Sequence, residues 1–378
     1  MRRSEEFVPK WVAPGRVNII GEHTDYNDGF VLPIALPLVV ECRAEARTDG
    51  RVRVASRQRP GETVLVAVSE LAAERDRVPG WSRYPLGVVS EFARRGYARD
   101  GIDLELDGAV PIGAGLSSSA ALSCAVAVAL RDLFAPTVTD RELIDLARAA
   151  ENDYAGVPTG LLDQSASILC TAGHALFLDV RRLVAHDGVA HEQIPFDLDR
   201  FGLELLVIDT GQPHALIDGG YARRRAQCEA AAAALDVPAL RDIESPAAVD
   251  RIGDAVLRRR ARHVVTENAR VLTIAEKLRG GADPREIGPI LTAAHESLRD
   301  DFEVSTPALD AAVSAALEAG AHGARMVGGG FGGSVIALVD RDDTAAVADA
   351  VRDRFARSGF ETPRTFVVVP GAGAHRIA

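Results

Sequence analysis

The chain has 378 residues, of which 47% are hydrophobic and 26% charged, with a formal net charge of −11. That length buries one large core or two smaller ones, and the composition excludes a disordered or fibrous chain. The acidic balance gives no electrostatic ground for a nucleic acid or anionic membrane as partner.

The segment from Met1 to Trp11 is charged and lacks the apolar stretch of a secretory leader. The first hundred residues then read as β-rich. Segments 17–20, 38–46, 51–55 and 63–68 are short β-branched runs separated by turn residues. Within this region, Pro14 to Asn27 places Glu22, His23, Thr24, Asp25 and Tyr26 in one turn between two apolar strands. Carboxylates and an imidazole in one turn suit polyol recognition, because a sugar hydroxyl both donates and accepts. A solvated acidic turn, or a metal held by His23 and a carboxylate, would use the same residues.

Helical periodicity begins over 84–95. An alternating strand (Ile102, Leu104, Leu106) then enters Pro111-Ile112-Gly113-Ala114-Gly115-Leu116-Ser117-Ser118-Ser119-Ala120-Ala121, and an apolar helix follows to Phe134. Unpaired N–H groups at such a strand–loop–helix junction form an anion site, reinforced by the helix dipole. No lysine follows, so this is not the GxxxxGK[ST] loop of P-loop NTPases. A serine-capped core helix after a flexible turn would show the same residues. Lysine occurs only at Lys10 and Lys277, so a phosphate clamp must use arginine, backbone amides or a metal.

A second helix is expected over 140–154, with Thr139 and Glu142 as a capping box. Gly156 to Gly160 interrupts the pattern, 161–170 resumes as helix, and 174–180 and 203–209 read as strands. Helices follow over 221–235, 263–278, 287–298 and 307–319. The end is β-α-β, over 334–339, 344–357 and 365–369. Periodicity breaks between Val184 and Arg200, which divides the chain into 1–195 and 196–378. Gly328, Gly329, Gly330, Gly332 and Gly333 around Phe331 are costly in regular structure, so the backbone there must pass close to a ligand or to a neighbouring strand.

The class is α+β. The longest apolar run, Ala120 to Leu130, falls well short of the roughly 20 residues that span a bilayer. Cys42, Cys124, Cys170 and Cys228 show no metal-like spacing and read as reduced thiols of a cytoplasmic protein.

Taken in order, the turn at Gly21-Glu22-His23-Thr24-Asp25-Tyr26-Asn27, the glycine–serine loop and the third glycine motif resemble those of the GHMP small-molecule kinases. The resemblance runs from Ala13 to Gly333 and includes Tyr221 to Glu229. It implies a two-lobed fold, with an N-terminal mixed-sheet lobe, a C-terminal ferredoxin-like α/β sandwich and the active site between them. It further implies phosphorylation of galactose at its C1 hydroxyl by MgATP, in a monomer that binds no nucleic acid or membrane. Another sugar-1-kinase, for an amino sugar or a pentose, and a galactose- and ATP-binding regulatory sensor are the alternatives.

By this similarity Gly113, Ala114, Gly115, Leu116, Ser117, Ser118 and Ser119 wrap the ATP phosphates, and Ser119 with Glu151 holds Mg²⁺. Glu22, His23, Thr24, Asp25, Gly160 and Tyr221 carry over as sugar contacts, and Ser56, Trp81 and Tyr84 as residues on the nucleotide side. Asp163 and Arg16 are the implied catalytic pair. A guanidinium beside a carboxylate stabilises its ionised form, so Asp163 is expected to aim the hydroxyl and take its proton late. The turn Thr159-Gly160-Leu161-Leu162-Asp163 lacks the cysteine and methionine common in the family. Ser165 also replaces a frequent aromatic, which bears on discrimination at C2.

Overall fold

Long antiparallel strands dominate the first part of the chain. The computed structural model describes residues 9–157, 159–212 and 219–377. Strands β1 (Lys10–Ile20) and β2 (Phe30–Ala46) pair antiparallel, with Trp11 opposite Cys42 and Val17 opposite Ile34. Their register shifts between Pro14 and Arg16, where a proline cannot donate to the ladder. From Trp11 on, every residue of β1 is buried, so the strand is covered on both faces.

Strands β3 (Arg51–Ser56), β4 (Thr63–Ala67) and β5 (Gly101–Gly108) extend this sheet, with β3 and β5 parallel. Strands β6 (His174–Asp179) and β7 (His191–Pro195) join through β2. Helices α1 (Leu71–Glu74), α2 (Arg83–Arg94), α3 (Ser118–Phe134), α4 (Asp140–Ala149), α5 (Leu162–Leu169) and α6 (Val180–Ala185) belong to this lobe. The capping box at Thr139 forms, with Glu142 accepting from the Thr139 N–H at 2.8 Å.

The second sheet is antiparallel and four-stranded, in the order β11-β8-β10-β9. Its strands are β8 (Leu203–Asp209), β9 (Gly323–Val327), β10 (Ser334–Asp340) and β11 (Arg364–Val368). Helices α7 (Gly220–Ala234), α8 (Ala255–Arg279), α9 (Gly288–Asp300), α10 (Pro307–Glu318) and α11 (Thr344–Ser358) belong to this half. A core that includes Phe302, Met326 and Phe355 fills this lobe. The chain then returns to the first sheet, where β12 (His375–Arg376) pairs with β1. The division of strands therefore falls between β7 and β8, with β12 as the exception.

Several limits differ from the sequence reading. Helix α8 starts at Ala255 because Asp254 accepts from the Val256 and Leu257 N–H groups. The helix expected to run to Tyr154 leaves α geometry at Ala150, and Ala150–Ala155 forms a π turn. Strand β7 lies in the stretch read as a boundary.

Candidate active site

The loop between β5 and α3 reverses through left-handed backbone at Gly113, Gly115 and Ser117, with φ of 80°, 73° and 59°. Glycine reaches that region without penalty, while Ser117 is held there at a cost. No side chain caps the start of α3, so the N–H groups of a 17-residue helix open into a cleft. The cleft is lined by residues of both lobes, among them Arg16, Asp25, Ser118, Asp163, Tyr221 and Gly329.

The third glycine motif meets this loop from the other lobe. A Cβ at Gly328 would lie 3.1 Å from the Gly115 oxygen, and one at Gly333 3.3 Å from the Ala114 oxygen. Ser334 donates to the Ala114 oxygen at 2.7 Å. The motif is thus close to two neighbours, the backbone of the glycine–serine loop at Gly328 and Gly333 and that of Val304 at Gly330, and Gly328 and Gly329 also face the cleft.

Gly15 lets β1 approach the same loop, since a Cβ there would stand 2.6 Å from the Leu116 oxygen. Next to it, Arg16 donates from Nη1 to the Gly115 oxygen at 2.7 Å and from Nε to Asp163 Oδ1 at 2.8 Å. A second ion-pair contact, Arg16 Nη2 to the same Oδ1, measures 2.6 Å. Both contacts fall on Oδ1, which leaves Oδ2 of Asp163 as the oxygen available to a hydroxyl. Residues 147 positions apart therefore meet at the glycine–serine loop.

The acidic turn lies in the same cleft. His23 and Asp28 are left-handed non-glycine residues, with φ of 64° and 59°. Burial, reinforced by the charge of Asp163, raises the Asp25 carboxyl from 3.8 to about 6. Gly160 packs against this carboxyl, and a Cβ there would lie 2.7 Å from the Asp25 Cγ. Glu22 is almost fully buried and pairs with Arg325. It also accepts from Asn18 Nδ2 and from the Gly328 N–H, each at 2.9 Å. The Tyr221 ring lies tilted beside His23 and edge-on to Tyr26, with centroids 5.7 and 5.4 Å apart. Burial, with Asp25 and Asp163 nearby, holds its hydroxyl well above 10, so it keeps its proton and can donate.

Other expected contacts stand further back. Thr24 is buried and donates to the Gly21 and Phe30 oxygens at 2.8 and 2.7 Å, so its hydroxyl closes the turn and is not on the cleft wall. Ala114 is likewise buried. Tyr84 lines the cleft, while Trp81 donates to Glu62 at 2.9 Å and Ser56 to Gln58 at 3.1 Å. The basic run after Tyr221 divides: Arg224 is buried and donates to the Phe302 and Glu303 oxygens, whereas Arg223 and Arg225 are exposed.

Glu151 sits on the π turn, fully buried, a geometry that often marks functional sites. Gln164 donates to its Oε1 at 3.1 Å, and its Oε2 has no hydrogen-bond partner. Burial, then the charge of Asp163, raises this carboxyl to about 7, opposed by Gln164 and the nearby Ser119 and Ser123 hydroxyls. A buried carboxylate oxygen without a partner beside a serine hydroxyl is a donor set that a hard cation fits. Sequence reasoning missed Gln164 and Arg325. The first adjoins Asp163 and was legible as its neighbour, while Arg325 carries no local signal.

Residues 83–171 match the GHMP kinases N terminal domain, residues 274–357 the GHMP kinases C terminal domain, and residues 5–43 the galactokinase galactose-binding signature. A galactokinase of Streptomyces coelicolor is 48% identical over 371 residues, covering 97% of this chain and 94% of that protein. A galactokinase of Mycobacterium tuberculosis strain H37Rv is 42% identical over 369 residues, covering 96% and 98%. The crystal structure of Lactococcus lactis galactokinase complexed with galactose superposes with a TM-score of 0.90 at 34% identity, covering 98% of this chain and 96% of that one. The Methanococcus jannaschii mevalonate kinase shares the fold, with a TM-score of 0.68 at 16% identity and coverage of 97% and 99%.

Proposed function

The chain belongs to the galactokinases of the GHMP kinase family, and on that premise we propose that it transfers the γ-phosphoryl group of ATP to the C1 hydroxyl of galactose. The products are galactose 1-phosphate and ADP. The observation that carries this reading is the Arg16–Asp163 pair, seated on the Gly115 carbonyl between the phosphate loop and the acidic turn.

In this reading the amides of Gly113 to Ser119 and the start of α3 receive the phosphates. Asp25, His23, Glu22 and Tyr221 receive sugar hydroxyls, with Gly160 contributing backbone. Thr24 supports the turn from behind. Asp163 Oδ2 accepts a hydrogen bond from the C1 hydroxyl and aims its oxygen at phosphorus. The proton passes to Asp163 late, because a loose transition state needs little early deprotonation. Arg16 fixes the orientation of Asp163 and opposes the negative charge gathering on the transferred group.

Ser119 and Glu151 would hold the Mg²⁺ that accompanies ATP. Bound there, the cation supplies charge neutralisation at the phosphates. The rest of the cleft positions and dries the reactants, and closure between lobes would exclude competing water. Among the described residues no helix is long and apolar enough to cross a membrane. The four cysteines are free and buried. We place the enzyme in the cytoplasm, where ATP is made available, and as a monomer.

The test is ADP release with ATP and, in turn, galactose, glucose, galactosamine, N-acetylgalactosamine and arabinose. Turnover with galactose that exceeds the others supports the reading. Turnover with an amino sugar or arabinose alone would replace the substrate, and ADP release with no sugar would refute it.

A further inference from the structure

Helix α8 turns a polar stripe inward. His263 and Glu267, four residues apart, share one face, Asn268 lies about 100° round the helix from Glu267, and all three are buried. A core-facing stripe is ordinarily apolar, and burying these groups is unfavourable unless each finds a partner. Each binds a backbone group between Gly21 and Phe30; His263 and Glu267 each bind one further side chain, and Asn268 Nδ2 has no hydrogen-bond partner. Glu267 Oε1 accepts from the Gly21 N–H at 2.9 Å. The His263 ring bridges the Ser297 hydroxyl at 2.9 Å and the Glu22 carbonyl at 3.1 Å. Asn268 Oδ1 accepts from the Phe30 N–H at 2.9 Å.

Strand β9 adds a fourth group. Arg325 is fully buried, donates to the Asn18 and Ile19 carbonyls at 3.1 and 3.0 Å, and pairs with the Glu22 carboxylate. It lies 3.9 Å from Glu267, whose other oxygen accepts from Arg270 at 2.8 Å. Two carboxylates and two guanidiniums thus balance within one network. The turn that they hold is not a relaxed one, since Gly21, His23 and Asp28 all have positive φ. Left-handed backbone at non-glycine residues persists only where the surroundings impose it.

We propose that His263, Glu267, Asn268 and Arg325 are positioning residues that mould the sugar-binding turn. The affinity for galactose is then set from the C-terminal lobe by side chains that line no part of the cleft. This rests on the reading of that turn as the sugar site. The effect falls on galactose and not on ATP, because the glycine–serine loop between β5 and α3 takes none of the hydrogen bonds that these four side chains make.

The experiment varies galactose and ATP independently in steady-state assays of the full chain, beginning with the unaltered protein. Failure of that protein to phosphorylate galactose defeats the functional reading and not this one. The variants are Glu267→Gln, Arg325→Lys and Asn268→Ala, of which only the first removes a charge. The expected result is a galactose KM raised about tenfold in the first two and about threefold in Asn268→Ala, with the ATP KM within about twofold of the unaltered protein. A role in stability alone would lower the melting midpoint without separating the two KM values. Variants that melt cooperatively and keep their galactose KM, or raise both KM values together, overturn the proposal. If Glu267→Gln and Arg325→Lys do not melt cooperatively, Asn268→Ala decides, and an unchanged galactose KM there overturns it.

Discussion

Gly160→Ala isolates one packing contact of the proposed sugar site. Gly160 lies outside the left-handed region, so alanine meets no backbone penalty there. The obstacle is space: the new methyl would lie 2.7 Å from the Asp25 Cγ and overlap its Oδ2. Ordinary carbon contacts begin near ~3.5 Å, and the Oδ2 overlap is deeper than the Cγ one, so the Asp25 carboxyl must retreat by more than about 1 Å. A misplacement of about 1 Å at a reacting site costs on the order of 10²-fold, or ~2.7 kcal/mol of transition-state binding. That figure agrees with the ~1.5–3 kcal/mol of a hydrogen bond to a charged group. Steady-state assays should therefore show kcat/KM for galactose falling about 10²-fold in Gly160→Ala.

The cause is assigned by a double-mutant cycle with Asp25→Ala. With the carboxyl gone the methyl has nothing to displace, so Gly160→Ala in that background should cost less than about threefold. Losses that multiply independently would refute the reasoning, as would a normal kcat/KM in Gly160→Ala alone.

Three further outcomes follow from the same geometry. Asp163→Asn should lower kcat by roughly 10²-fold or more while calorimetry still detects galactose binding; a near-normal kcat would remove Asp163 from its role. Asp25 gives a pH signature: its folded value of about 6 exceeds the unfolded 3.8, so the native state binds the extra proton and this group's contribution falls as pH rises between them. Asp25→Asn should therefore raise the melting midpoint of the sugar-free protein at pH near ~7.5, by on the order of 3 kcal/mol in stability. The gap should close towards pH ~4, and one that persists there would contradict the assignment. Glu151→Ala should raise the Mg²⁺ concentration for half-maximal activity by about tenfold, whereas an unchanged Mg²⁺ titration would exclude Glu151 as a ligand.

The parts of the site that the sequence displays are those whose chemistry is local. Glu22, His23 and Asp25 share one turn, and Gly113 to Ser119 share one loop, so short-range patterns reveal them. The strands of the first sheet and the β-α-β end are legible for the same reason, through alternation and spacing. What stays hidden depends on distance along the chain. Arg325 and Glu22 are 303 positions apart, and nothing in Gly323-Ala324-Arg325-Met326-Val327 marks the arginine as buried. The first turns of α8 carry Arg258, Arg259, Arg260 and Arg262, which mask its start because apolar periodicity begins only later. Its inward residues His263, Glu267 and Asn268 look like solvent-facing polar positions until the turn that they bind is in place. The π turn at Ala150–Ala155 is hidden too, since Glu151 continues a helical pattern and only the fold buries it.

The central claim concerns where the phosphoryl group goes, and phosphorus NMR of the protein incubated with galactose and MgATP reads it directly. The account predicts loss of the γ-phosphate signal and growth of a phosphomonoester doublet coupled to the anomeric proton. A phosphoester coupled to any other sugar proton, or free phosphate released with the sugar unchanged, would contradict it.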